Sequence, residues 1–144
     1  MEALLKGEGE CSILVSPFDP ETMNGTVIRA ESGRAAGLIL GKWQSPRWNS
    51  ANTFKTVNMY RMTKAFAEKY IPLVHWYVSY MGEQSYYEKV LGSLIYLREC
   101  DIRIVEVPGS MWCEIDDAAD LTHAQKMFRT REVTDIERLI STEK

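Results

Sequence analysis

A cationic surplus, a long apolar run, paired cysteines and clustered histidines are all missing from this 144-residue sequence, and each absence removes a class of function. Seventeen Lys and Arg stand against twenty Asp and Glu, for a net charge of -3. With no basic excess to neutralise phosphates, neither a nucleic acid nor an anionic membrane is an expected partner. No window approaches the ~18 apolar residues of a membrane span, and the opening MEALLKGEGE turns polar before a secretory leader can build up, so a cytoplasmic location is expected. Cys11, Cys100 and Cys113 are odd in number and isolated in apolar runs, which suits reduced thiols better than a disulfide framework. His75 and His123 are the only histidines, and no CxxC or HxxxH spacing occurs, which argues against structural zinc.

What is present reads as one core with an acidic end. Residues 1–110 carry twelve charges of each sign, whereas 111–144 carry eight acidic against five basic, so the whole negative balance arises in the last quarter. MEALLK reads as the last turns of a helix stopped by Gly7, as if the chain were cut there. CSILVS (11–16) has the length and β-branched content of a buried strand. Asn24-Gly25 marks a turn, and GTVIRAE (25–31) with RAAGLILGK (34–42) around Ser32-Gly33 predicts a hairpin. Residues 43–51 are a loop with two tryptophans. Thr53 to Arg61 alternates as a strand, with Phe54, Thr56, Asn58 and Tyr60 on one side and Lys55, Val57 and Met59 on the other.

From Thr63, a predicted N-cap, the period becomes helical as far as Gly82, with Pro72 expected to kink or restart the helix. Ser85 to Glu99 predicts a helix with Tyr86, Val90, Leu94 and Leu97 as its core stripe. Asp101 to Val107 alternates as a strand, Trp112 to Ile115 reads as extended, and Asp117 opens a further helix. A polar linker and one short helix candidate, TDIERLI, follow. This element order predicts an α/β fold with a mixed sheet layered by helices.

The densest candidate site is Trp112-Cys113-Glu114-Ile115-Asp116-Asp117, with Asp120 three residues on. Carboxylates at a strand end ahead of a helix N-terminus lie where open α/β sheets collect ligands, and one or two of them suit Mg²⁺. The structural alternative is that Asp117 caps the helix with Asp120 at its N3 position. Trp43, Tyr86, Tyr87 and Trp112 are candidates for an aromatic wall around a quaternary ammonium, against plain core packing. Neither histidine has a nucleophile beside it in the sequence.

WCEIDDAADLTHAQKMF resembles the closing motif of the nucleotidyltransferases that make activated sugars and CDP-choline. PFDPETMNGTVIRAESGRAAGLILGK is similar to that family's hairpin, NTFKTVNMYRMTKAF to its next strand and helix, and QSYYEKVLGSLIYL to the helix before its final strands. The resemblance covers about residues 1–128, and it is closest to the choline-phosphate branch and to the branch fused to a pyridoxal-phosphate aminotransferase. It implies an incomplete Rossmann-like three-layer α/β/α fold in which 1–128 is the acceptor-binding portion and 129–144 a linker at a domain border. It also implies transfer of a nucleotidyl group from a nucleoside triphosphate, CTP foremost, to a phosphorylated acceptor such as phosphocholine or a sugar phosphate, with Mg²⁺ bridging the phosphates.

Carried over, Asp116 matches the family's second metal-binding aspartate and Lys42 its lysine after the hairpin, both in catalytic roles. Lys55, Tyr86, Trp112 and Glu114 are the implied acceptor-binding residues, each with a surface or packing alternative. The family's Gly-rich loop, its Arg and Pro-Lys pair and its first metal aspartate have no counterpart here, so the resemblance implies a chain that does not turn over alone. The alternative is a non-catalytic acceptor-binding module, or one that associates with another copy of itself.

Overall fold

Local sequence explains most elements of the computed structural model, which describes residues 2–21, 23–41, 44 and 51–129. Contacts within the chain divide it into two units, Met1–Val107 and Pro108–Lys144. The first unit holds α1 (Glu2–Leu5), β1 (Cys11–Pro17), β2 (Val27–Glu31), β3 (Arg34–Ile39), β4 (Thr53–Met62), α2 (Lys64–Met81), α3 (Glu88–Leu97) and β5 (Ile102–Glu106). The second holds a short 3-10 turn, Gly109–Met111, and α4 over residues 118–129. Ser32 and Gly33 both take positive φ, the two-residue turn whose twist matches the strands it joins. Thr63 caps α2, its Oγ1 accepting from the Phe66 N–H at 3.2 Å, and Gly82 ends that helix with its N–H donated to the Val78 carbonyl. Pro72 neither breaks nor restarts α2, which runs on to Met81. Phe66, Tyr70, Val74 and Tyr77 pack from one stripe of it onto the core, and that burial outweighs one missing donor.

The open three-layer Rossmann-like arrangement is contradicted. The strands close into a five-stranded barrel in the order β1-β4-β2-β3-β5, with β5 returning to β1. Directions are mixed, since β1 and β5 are parallel and all other pairs antiparallel. Closure follows from irregularities that a two-residue period does not reveal. Between Ile13↔Tyr60 and Val15↔Thr56 the β4 strand carries extra residues, with Asn58 left-handed at φ 57, and a second irregularity lies at Arg29/Ala30. Such bulges bend strands and raise their twist, which curls a sheet onto itself. The seam is the single β3–β5 pair Arg34↔Arg103, where the Ile104 N–H donates to the Gly33 carbonyl at 3.0 Å. Two like charges meet there, and Asp101 Oδ1 accepts from both, at 2.7 Å from Arg34 Nη2 and 2.9 Å from Arg103 Nε.

Helices α2 and α3 cover one face of this sheet. The core joins Cys11, Ile13 and Val15 of β1, Ile28 of β2 and Ile102 of β5 to Phe66 and Tyr70 of α2 and Val90, Leu91, Leu94 and Ile95 of α3. The buried stripe of α3 therefore differs from the one expected: Tyr86 precedes the helix, and Leu97 is exposed in its last turn. Gly92 lets α3 approach β3, since a Cβ there would stand 3.4 Å from Leu38 Cβ. Among the described residues no helix is long and apolar enough to cross a membrane.

Burial in this core fixes an alkaline limit on stability. The Cys11 thiol is pushed up to about 12, first by burial, next by neighbouring Cys100 and against the pull of Arg61. Tyr60 and Tyr70 are raised for the same first reason. The unfolded chain releases these protons while the folded chain keeps them, so their contribution is complete below pH ~9 and is lost as pH rises. Each group is expected to remove up to about 1.4 kcal/mol per pH unit within its window. Urea unfolding between pH 7.5 and 11 checks this, with a falling midpoint expected and a flat one contradicting it.

Candidate functional site

Glu88 and Lys55 are the two largely buried charged side chains among the described residues of the first unit. Glu88 lies in the first turn of α3 with 7% of its surface exposed, and among the described residues it makes no ion pair and no side-chain hydrogen bond. A carboxylate in the first turn of a helix is favoured by the macrodipole, typically by under about 1 kcal/mol. Three phenols surround this charge. Glu88 pushes up the hydroxyls of Tyr60, Tyr70 and Tyr87, each already raised chiefly by burial. Tyr60 and Tyr87 meet edge to face, with ring centroids 6.4 Å apart and hydroxyl oxygens 3.3 Å apart, and Tyr70 donates to the Tyr87 carbonyl at 3.5 Å. Three strands of logic bring them together: the bulge at Asn58 sets Tyr60, the stripe of α2 sets Tyr70, and the start of α3 sets Tyr87 and Glu88. A carboxylate among aromatic side chains is a chemistry that suits an organic cation.

Lys55 and Ser16 form a second polar corner. They are register partners on β4 and β1, and Val27 of β2 is the next partner, so all three share one face. Lys55 is 5% exposed, and its Nζ lies over Gly25, where a Cβ would stand 2.5 Å from it. Gly25 has φ +90, so only glycine suits the position sterically and conformationally. Ser16 is fully buried, and its Oγ lacks a hydrogen-bond partner among the described residues. This corner does not join the tyrosines: Phe54 and Tyr60 pack toward the helices, whereas Lys55 alternates to the other face of the sheet.

In the second unit the capping alternative is realised. Asp117 Oδ1 accepts from the N–H groups of Ala119 at 2.7 Å and Asp120 at 2.9 Å, which satisfies the first turn of α4. Asp120 Oδ2 accepts from the Asp116 N–H at 3.0 Å. Asp116 is exposed, Glu114 and Trp112 are half-buried, and no strand forms over 112–115. The indole Nε1 of Trp112 is buried without a hydrogen-bond partner among the described residues. Cys113 is raised by burial, then by Asp120 and Glu114. Two of the three aspartates thus hold backbone N–H groups at the start of α4, and no group of three His, Cys, Asp or Glu that could hold a metal ion occurs among the described residues.

Of the expected site residues, Lys55 and Tyr86 lie in the first unit and Trp112, Glu114 and Asp116 in the second. Lys42 and Trp43 lie outside the described residues, as does TDIERLI. Tyr86 is 54% exposed, while its neighbour Tyr87 reaches the cluster. Sequence reasoning missed Glu88, Tyr60 and Tyr70. The available signal was an acidic residue directly after two tyrosines, at the start of a helix whose next residues are apolar. No model of a known protein family matches the chain, and no curated protein matches it significantly. The resemblance of its motif strings stands on those strings alone.

Proposed function

We propose that the chain is the acceptor-binding portion of a nucleotidyltransferase of the cytidylyltransferase type, and that its acceptor is a phosphorylated small molecule with a cationic head group such as choline. The observation that carries this reading is the largely buried Glu88 carboxylate beside Tyr60, Tyr70 and Tyr87. A quaternary ammonium sheds water readily, meets ring faces, and would be attracted by the Glu88 carboxylate. Lys55 and Tyr60 face opposite sides of the sheet, so the acceptor phosphate is not assigned to Lys55. The nucleoside triphosphate, Mg²⁺ and the transfer step belong to the complete enzyme, in which Asp116 supplies at most one carboxylate to the ion. The capped Asp117 and Asp120 favour a second reading for the chain by itself, a non-catalytic acceptor-binding module. Self-association would use the exposed aromatics Trp76, Tyr80 and Tyr96 of α2 and α3.

Calorimetric titration with choline and with 3,3-dimethylbutan-1-ol, its neutral isostere, separates charge from shape. Choline is expected to bind at least about tenfold tighter than the alcohol. Equal affinity for the two would remove Glu88 from the account.

A further inference from the structure

We propose that the hollow at the β3–β5 seam binds a small α-amino acid with an aliphatic side chain, held as a zwitterion by Arg34, Arg98 and Glu31. That hollow, about 250 Å³, is smaller than a site for a drug-sized molecule, and β3, β5 and the end of α3 all contribute to its lining within the first unit. Its floor is apolar, because Ile95 of α3 and Ile102 of β5 line it and are almost wholly buried. Its rim carries the exposed charged residues Glu31, Arg34 and Arg98. Neither Glu88 nor the three tyrosines line this hollow, so the inference is independent of the choline reading.

The rim charges select the ligand. Arg34 is held by Asp101, its Nη2 donating to Oδ1 at 2.7 Å, and Arg103 shares that carboxylate. A guanidinium has further N–H donors, so Arg34 keeps that bond and still has a donor for a ligand oxygen. The Arg98 side chain makes no ion pair among the described residues. A single carboxylate is suited to these two forks. A second negative charge on the ligand would meet Glu31, the register partner of Arg34 in the hairpin, so a dianion such as phosphate is disfavoured and an ammonium is favoured in its place. An α-amino acid carries both groups on one carbon, which leaves its side chain for the floor of Ile95 and Ile102. Arg98 also breaks a local rule. It caps α3 with left-handed backbone at φ 55, where glycine or asparagine would stand at lower cost. A cation anywhere in the last turn would suit the helix dipole, whereas at this position the residue stands on the rim of the hollow.

The test titrates the full chain calorimetrically with L-leucine, with 4-methylpentanoate, which lacks the ammonium, and with 3-methylbutan-1-amine, which lacks the carboxylate. Leucine is expected to bind at least about tenfold tighter than either analogue. Arg98→Asn, which keeps a residue tolerant of left-handed backbone, is expected to weaken leucine binding at least about fivefold. Glu31→Gln is expected to weaken leucine binding by a similar factor while leaving 4-methylpentanoate bound as well as before or better. Both side chains are exposed, so unfolding midpoints near that of the parent are expected to show the fold intact. No saturable leucine binding by the parent, inorganic phosphate or 4-methylpentanoate bound as tightly as leucine, or an unaltered leucine affinity in Arg98→Asn would overturn the proposal.

Discussion

Phe66→Ala is expected to lower the free energy of unfolding by about 3–5 kcal/mol, the range for truncating a buried aromatic side chain. Phe66 is 1% exposed and stacks on Tyr70 with ring centroids 5.6 Å apart and planes 21° from parallel. It sits at the start of α2, where its own N–H is donated to the capping Thr63 hydroxyl. The ring thus links the helix cap to the barrel strands β1 and β2 through Cys11, Ile13 and Ile28. Collapse of the resulting cavity would require α2 to shift against a closed sheet, so little of the loss is recovered. Leu97→Ala, at a residue exposed in the last turn of α3, is expected to stay within about 0.5 kcal/mol of the parent. Urea unfolding of the two variants, with an unchanged slope in each, checks the difference; equal midpoints would place the core elsewhere.

Elements were legible in the sequence where one local rule decides. Thr63 as a cap, Gly82 as a stop and Ser32-Gly33 as a turn each act within a few residues, and the structure shows all three. The alternation of β4 correctly separates Phe54 and Tyr60 from Lys55. Closure was not legible, because it depends on the bulge near Asn58 and on β4 lying between β1 and β2, which is a property of pairing rather than of any single strand. The acidic motif illustrates a different limit. Asp117 and Asp120 satisfy a helix-capping pattern and a metal-ligand pattern equally well as letters, and only the hydrogen bonds from Ala119, Asp120 and Asp116 decide that the cap is formed. Glu88 was hidden for a related reason. An acidic residue opening a helix reads as a solvated partner of the dipole, and its burial arises from Tyr60 and Tyr70, both distant in sequence.

The cation reading of Glu88 makes a two-sided expectation. If the Glu88 carboxylate serves to bind an organic ammonium rather than to hold the fold, Glu88→Gln should fold at least as stably as the parent while losing cation affinity. A purely structural Glu88 would behave in the opposite way, with stability falling and any weak choline binding unchanged. The Tyr60 and Tyr87 rings, edge to face with each other and within the field of Glu88, supply the reporter.

The most direct measurement is a choline titration of the parent chain and of Glu88→Gln, followed by the ring resonances of Tyr60 and Tyr87 with unfolding midpoints recorded alongside. Saturable shifts in the parent, weakened at least about tenfold in Glu88→Gln with no loss of stability, are the expected result. Superimposable titrations of the two proteins, or an absence of saturable shifts in the parent, would contradict it.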